Sequence, residues 1–224
     1  MPGILYIVAT PIGNLKDVSE RAKNTLVSVD AILCEDTRVT KKLLNHLGIK
    51  KELISYHQHS SQSVVTKIHG RLKQSQNLAL VTDAGTPGIS DPGGKLVESL
   101  REDVEIVPIP GPCALITALS VSGFPSDKFR FLGFPPNKKG RKKFFEELDE
   151  IQETIVFYES THRIEKALES LLKICPKRRL VIARELTKMH ETIYRGHTEN
   201  IIKQLEATSK KGEFVVVLAP KKYE

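Results

Sequence analysis

Through residue 122 the sequence follows one pattern: a short apolar run, a loop rich in glycine, proline and polar residues, then an amphipathic stretch. Apolar runs at 4–9, 30–34, 78–82 and 104–108, with a short one near 53–55, read as strands. The stretches near 19–29, 38–47, 62–75, 94–102 and 113–121 read as helices, with Ser19 as an N-cap and Gly48 as a C-cap. Strands separated by helices are parallel, and helices then cover both faces of their sheet. The pattern therefore predicts an α/β fold.

The loops carry the functional information. Thr82-Asp83-Ala84-Gly85-Thr86-Pro87-Gly88-Ile89-Ser90-Asp91-Pro92-Gly93-Gly94 joins a strand to a helix. Its glycines and prolines make a stiff turn whose backbone can approach a ligand closely. Thr10-Pro11-Ile12-Gly13-Asn14 and Pro108-Ile109-Pro110-Gly111-Pro112-Cys113-Ala114 repeat the arrangement. Ligands of open α/β sheets bind at such strand ends. None of these loops has the spacing of a dinucleotide fingerprint, and no phosphate-binding Gly-Lys-Ser/Thr loop is present. A ligand at the strand ends is expected, but not a Rossmann NAD enzyme or a P-loop NTPase.

Residues 122–127 interrupt the pattern as a hinge, which divides the chain into an N-terminal α/β domain, 1–122, and a C-terminal one, 123–224. Strands are expected at 129–134, 153–158, 180–184, 191–195 and 213–219, and helices at 139–150, 161–174 and 197–208. The short gap between the strands at 180–184 and 191–195 predicts an antiparallel pair, hence a mixed sheet. The expectation is two α/β domains with a cleft between them.

Three scattered cysteines, Cys34, Cys113 and Cys175, form neither a zinc pattern nor a disulfide framework, which suits a reducing cytoplasm. No apolar run approaches the roughly 20 residues of a membrane span, and no signal sequence precedes the first strand. Lys and Arg total 34 against 27 acidic residues, a net charge of +7, which permits a polyanionic partner. The densest basic run is Lys138-Lys139-Gly140-Arg141-Lys142-Lys143; lesser ones lie at Lys41-Lys42, Lys50-Lys51, Lys177-Arg178-Arg179 and Lys210-Lys211.

Polar clusters at strand ends are the candidate chemistry. Glu35-Asp36-Thr37-Arg38 can set a base's protonation or grip a ribose hydroxyl; it can equally be a helix cap with an ion pair. Tyr56-His57-Gln58-His59-Ser60 offers histidines but a weak metal pattern. In Tyr158-Glu159-Ser160-Thr161-His162-Arg163, Ser160 or Thr161 reads as an N-cap, leaving His162 and Arg163 in a first turn that disfavours cations. Residues 184–191 and 211–213 form two further charged constellations. Hydrolase, zincin and redox motifs are absent.

Taken in order, these segments resemble the tetrapyrrole methylase superfamily of S-adenosylmethionine-dependent methyltransferases, and within it the ribosomal RNA small subunit methyltransferase I family. The resemblance rests on residues 8–17, 34–38, 81–93, 108–114, 131–136, 157–163 and 184–188. Members often continue past the last strand into a helical extension, whereas this sequence closes at Pro220-Lys221-Lys222-Tyr223-Glu224. The resemblance implies a tetrapyrrole-methylase-like fold of class III methyltransferases. It also implies 2′-O-methylation of a cytidine ribose in the decoding region of 16S rRNA, within the small ribosomal subunit, by a cytoplasmic homodimer without metal.

S-adenosyl-L-methionine is then expected against Thr10, Pro11, Asp83, Ala84, Gly85, Ile89, Ser90, Pro110, Ala114, Tyr158, Glu159, Leu186, Thr187, Gly212 and Glu213. RNA is expected on Lys138, Lys139, Arg141, Lys142, Lys143 and Arg163. Asp36 is the favoured acceptor of the hydroxyl proton, with Arg38 keeping it ionised and Glu35 the nearest alternative. A small-molecule methylase acting on a tetrapyrrole precursor and a non-catalytic RNA-binding module are the rival readings. The basic 138–143 run argues against the first and the cofactor-shaped loops against the second.

Overall fold

A computed structural model describes residues 1–223. The chain divides into two compact units, Met1–Cys113 and Ala114–Glu224. The division falls ahead of the hinge expected at 122–127, so the helix at 114–120 belongs to the second unit.

The first unit is a parallel sheet of β1 (Leu5–Val8), β2 (Ala31–Cys34), β3 (Glu52–Ser55), β4 (Leu78–Leu80) and β5 (Ile106–Ile109), in the order β3-β2-β4-β1-β5. Its helices are α1 (Glu20–Ser28), α2 (Thr37–Leu47), α3 (Gln62–Lys73) and α4 (Gly94–Leu100). Alternate strand residues feed two separate cores. Ile32, Cys34 and Ala79 pack with Leu26 of α1 and Leu44 of α2. Ala31, Leu33, Leu78 and Leu80 pack with Ile68 and Leu72 of α3 and with Leu96 of α4. Burial on both faces explains why these strands read as continuous apolar runs. Ser19 caps α1 through a bond from the Ala22 amide, and Gly48 closes α2 in the left-handed region at φ 71°.

The second unit comprises α5 (Ala114–Ser120), β6 (Phe129–Phe131), α6 (Arg141–Glu150), β7 (Thr154–Ser160), α7 (Ile164–Ile174), β8 (Arg179–Arg184), β9 (Thr192–His197), α8 (Thr198–Ala207) and β10 (Glu213–Leu218). Its sheet runs β6-β7-β10-β8-β9, with β6 parallel to β7 and every other pair antiparallel, so the mixed sheet and the β8–β9 pair are as expected. The α6, α7 and α8 side buries Phe145, Leu168 and Ile201 against Phe157, Ile182 and Phe214. The α5 helix packs on β7, β8 and β10.

Two helix starts differ from expectation. Helix α7 begins at Ile164 with Arg163 at its N-cap, not at Ser160 or Thr161. The Thr161 hydroxyl instead donates to the Gly212 carbonyl at 2.6 Å and accepts from the Gly212 amide at 2.7 Å. Helix α6 begins at Arg141 behind Gly140, which is left-handed at φ 87°, so Lys138 and Lys139 precede the helix rather than head it.

Candidate active site

In a parallel sheet all carboxyl strand ends lie along one edge, and in the first unit that edge gathers the motif loops. The loop after β1 and the loop after β4 are laced by backbone. Thr10 N donates to Gly85 O at 2.8 Å and Gly85 N to Thr10 O at 3.1 Å. Thr10 is 2% exposed, and its hydroxyl donates to Thr82 O at 3.0 Å. Thr86 ties the same loop to the loop after β5 through Pro112 O at 3.2 Å. Gly85 sits at φ 85°, where a β-branched side chain is strained. Gly111 leaves no room, because a Cβ there would lie 3.0 Å from the Cβ of Ala9. Thr10 and Pro11 are buried struts of this edge, whereas Asp83, Ala84, Ile89, Ser90 and Pro110 present themselves to solvent.

Acidic side chains crowd the same edge. Asp36 caps α2 by accepting from the Arg38 amide at 2.8 Å, and it also grips the Arg38 guanidinium at 2.6 to 3.2 Å. Those bonds hold its carboxyl down at about 2. The Asp36 amide donates to Asp83 Oδ1 at 3.2 Å, joining the loops after β2 and β4. Asp91, at the far end of the β4 loop, behaves oppositely. Burial raises its carboxyl to about 6, helped by Glu35 and Asp83, while the Thr82 hydroxyl beside it works the other way. Thr82 Oγ1 is buried and makes no hydrogen bond of ordinary geometry.

These values reorder the candidates. A carboxylate locked on arginine at about 2 is a poor acceptor near neutral pH, whereas one at about 6 suits that task. Asp36 is occupied as a cap and an arginine clamp; Asp91, quoted in the sequence motif without a role, is the acid whose surroundings set it apart. Its raised value comes first from burial; Glu35, from the loop after β2, and Asp83 of its own loop add to it.

The second unit places its motif residues in knitted pairs. Glu159 is fully buried, and its carboxylate takes Arg141 at 2.9 Å, Arg163 at 3.0 Å and the Ser160 amide at 2.8 Å. Arg141 and Arg163, expected on RNA, are thus 15% and 24% exposed and engaged inside the fold. Lys142 and Lys143 lie 3.5 and 3.6 Å from Glu146 and Glu147, leaving Lys138 and Lys139 as the open part of that run. Tyr158 accepts the Leu115 amide at 3.2 Å and packs against Phe131 and the half-exposed Phe134.

Across the sheet, Lys188 bridges Glu185 and Glu213, each at 2.9 Å. Burial pushes the Glu185 carboxyl up, but the Lys188 bond and the Glu213 amide outweigh it and leave it lowered. Gly212 at φ 131° packs so closely that a Cβ would lie 2.6 Å from Glu185 Cγ. Glu185 and Thr187 are left-handed at φ 52° and 65°, with Leu186 buried between them. The Thr187 hydroxyl is buried without a partner. Backbone held in that region by non-glycine residues, beside an unsatisfied hydroxyl, makes this turn a candidate for function. Among the described residues no group of three or more His, Cys, Asp or Glu is placed to hold a metal ion, and no helix is long and apolar enough to cross a membrane.

The profile of the Tetrapyrrole (Corrin/Porphyrin) Methylases matches residues 4–202. A Thermotoga maritima protein named ribosomal RNA small subunit methyltransferase I is 46% identical, over 98% of this chain and 99% of its own length. Proteins of the same name from Haemophilus influenzae and Halalkalibacterium halodurans are 47% and 45% identical, over 99% and 96% of this chain and 80% and 75% of theirs. Among solved structures, a cobalt precorrin-4 methyltransferase of cobalamin biosynthesis superposes with TM-score 0.71 at 16% identity, covering 96% of this chain and 94% of that one. Diphthine synthase gives 0.71 at 15%, over 97% and 90%. Likeness at that identity establishes the fold alone. The sequence relatives go further: the chain belongs to the ribosomal RNA small subunit methyltransferase I family of tetrapyrrole-methylase-like enzymes.

Proposed function

We propose that this protein methylates the 2′-hydroxyl of a cytidine ribose in the decoding region of 16S rRNA, with S-adenosyl-L-methionine as donor, acting in the cytoplasm as a homodimer. The observation that carries the chemistry is Asp91: a half-buried carboxyl at about 6, among Glu35 and Asp83, beside the buried Thr82 hydroxyl. The names of relatives at 45–47% identity support rRNA as the methyl acceptor.

The residues present fit the donor. In the first unit, Asp83, Ala84, Ile89, Ser90 and Pro110 offer backbone groups, Gly85 shapes the loop that presents them, and Ile89 offers a 41% exposed apolar side chain. In the second unit, taken by itself, the unsatisfied Thr187 hydroxyl, the buried Leu186 and the Tyr158 ring are the groups suited to contact it, and Ala114, Gly212 and Glu213 are expected with them. The Glu159 carboxylate is spent on its arginines, so its part is to hold the end of β7, with Tyr158, in place. When bound, the donor supplies an electrophilic methyl carbon on a sulfonium.

The chain's own residues then have two tasks. Asp91 takes the proton of the ribose hydroxyl as its oxygen becomes nucleophilic, a contribution of about 10²- to 10⁴-fold for a general base. The Asp36–Arg38 clamp holds the nucleotide through the guanidinium donors that Asp36 leaves free. Methylation of small-subunit RNA, mapped by mass spectrometry with free rRNA and assembled subunits, tests the substrate. Methyl transfer to a tetrapyrrole precursor but not to RNA would overturn the reading. A strictly monomeric mass at micromolar protein would remove the homodimer.

A further inference from the structure

The first unit carries a basic groove of which the reaction described above uses only Arg38. It has a volume of about 550 Å³ and runs along α2 and the start of β3. Arg38, Lys41, Lys50 and Lys51 line it, with Asn45 and Thr37 among them, and no carboxylate does. Buried Leu44 and Ile49 form part of its lining, so a low-dielectric wall lies behind the cations.

The cations are open. Among the described residues Lys41, Lys50 and Lys51 form no ion pair. The acid next in sequence, Glu52, is taken by Arg71 in two bonds of 2.7 Å. Arg38 is held by Asp36, yet its side chain is 87% exposed and keeps donors to spare. In the run at 138–143, denser in sequence, Arg141 is held by Glu159 and Lys142 and Lys143 lie near glutamates, which leaves Lys138 and Lys139 without ion pairs among the described residues.

We propose that this groove binds the phosphodiester backbone of the RNA substrate. An uncompensated set of like charges in one concavity is repulsive by itself and is relieved by a polyanion. The groove's cations come from α2 and from the segment that leads into β3, so a strand can meet more than one of them. Arg38 belongs both to the groove and to the acidic strand-end edge, so backbone phosphates seated on Lys41, Lys50 and Lys51 lead the chain toward Asp91.

The proposal rests on RNA being the substrate, and the experiment separates the two. Binding of a decoding-region rRNA fragment is measured by fluorescence anisotropy across a salt series. Four proteins are compared: wild type, K41Q/K50Q/K51Q, the charge-retaining K41R/K50R/K51R, and K138Q/K139Q. Each phosphate contact contributes about 0.9 to the salt slope on helical RNA and about 0.7 on a single strand. The glutamine triple variant is expected to lose roughly two units of slope and at least about tenfold in affinity near 0.15 M salt. The arginine variant keeps both, and S-adenosylmethionine affinity by calorimetry stays at the wild-type value in all. An unchanged slope in K41Q/K50Q/K51Q, with wild type binding RNA, overturns the groove and leaves the RNA reading standing. A loss as large in K41R/K50R/K51R also overturns it, because backbone phosphates accept either cation. Absence of salt-dependent RNA binding by wild type overturns both.

Discussion

The two units treat their acids in opposite ways. At the strand ends of the first unit, Glu35, Asp83 and Asp91 share one edge, and the only arginine there, Arg38, is taken by Asp36. In the second unit Glu159 has two arginines, and Glu185 and Glu213 share Lys188. Carboxylates that meet cations inside the fold are scaffold, since removing one partner strands the other. Carboxylates gathered without cations are held at a cost that the fold alone does not require. The proposed proton chemistry falls on the uncompensated side of this contrast, and ordered support on the other.

The largest expected effect tests the uncompensated side. Asp91→Asn should lower turnover by roughly 10²- to 10⁴-fold while donor affinity stays intact. In the wild type the rate should fall as pH drops through about 6, because the acceptor becomes protonated. Stability should move the other way. The folded state holds the Asp91 proton more tightly than the unfolded chain, so stability declines as pH rises from about 4 through about 6. Asp91→Asn should therefore unfold at a higher temperature than wild type at pH 7 and at the same temperature below pH 4. A variant that is neither slower nor more stable at pH 7 would erase the distinction between the units.

On the compensated side, Glu159→Gln leaves Arg141 and Arg163 without their charge partner in a closed site. A loss of about 3–5 kcal/mol in urea unfolding is expected. A loss below about 1 kcal/mol would free Glu159 to be a ligand group after all. Gly85→Val probes the lacing of the first unit. At φ 85° a β-branched residue costs on the order of 1–3 kcal/mol, and its methyls meet Ile12, since even a bare Cβ lies 3.4 Å from Ile12 Cγ2. Donor affinity should fall with it, more than in Asp91→Asn. Equal calorimetric affinity for Gly85→Val and wild type would move the donor off this loop.

Much of this was legible from one sequence. The parallel strands of the first unit are buried on both faces, so Ala31 to Cys34 and Leu78 to Leu80 read as unbroken apolar runs. The loops at their ends announced themselves through glycine and proline. What stayed hidden depends on contacts distant along the chain. Arg141 reads as part of a basic surface run until Glu159, on a neighbouring strand, closes on it. Thr161 reads as a helix cap until Gly212 takes its hydroxyl. The raised Asp91 carboxyl comes first from burial, which the sequence does not show, with Glu35 of the loop after β2 adding to it. The groove at Lys41, Lys50 and Lys51 joins two basic pairs unremarkable in sequence, and it depends on Arg71 having claimed Glu52.

The smallest expected effect is at Asp36, the acid that the sequence alone favoured. Its carboxyl has two local duties: it caps α2 by accepting the Arg38 amide, and it grips the Arg38 guanidinium. Asparagine keeps the cap, because its side-chain oxygen accepts the same amide bond. It surrenders the charge on Arg38, which is 87% exposed and already hydrated. Asp36→Asn should therefore melt close to wild type and lose at most about tenfold in turnover, a barrier change near one tenfold step. The loss should appear in KM for RNA more than in kcat, since a released Arg38 is less well aimed at the nucleotide. If kcat instead falls as far as in Asp91→Asn, the proton goes to Asp36 despite its low value, and Arg38 must leave it when RNA binds. Measuring both variants at pH 6 and pH 8 decides between the two acids, because only loss of the Asp91 carboxyl abolishes the rise in rate through about 6.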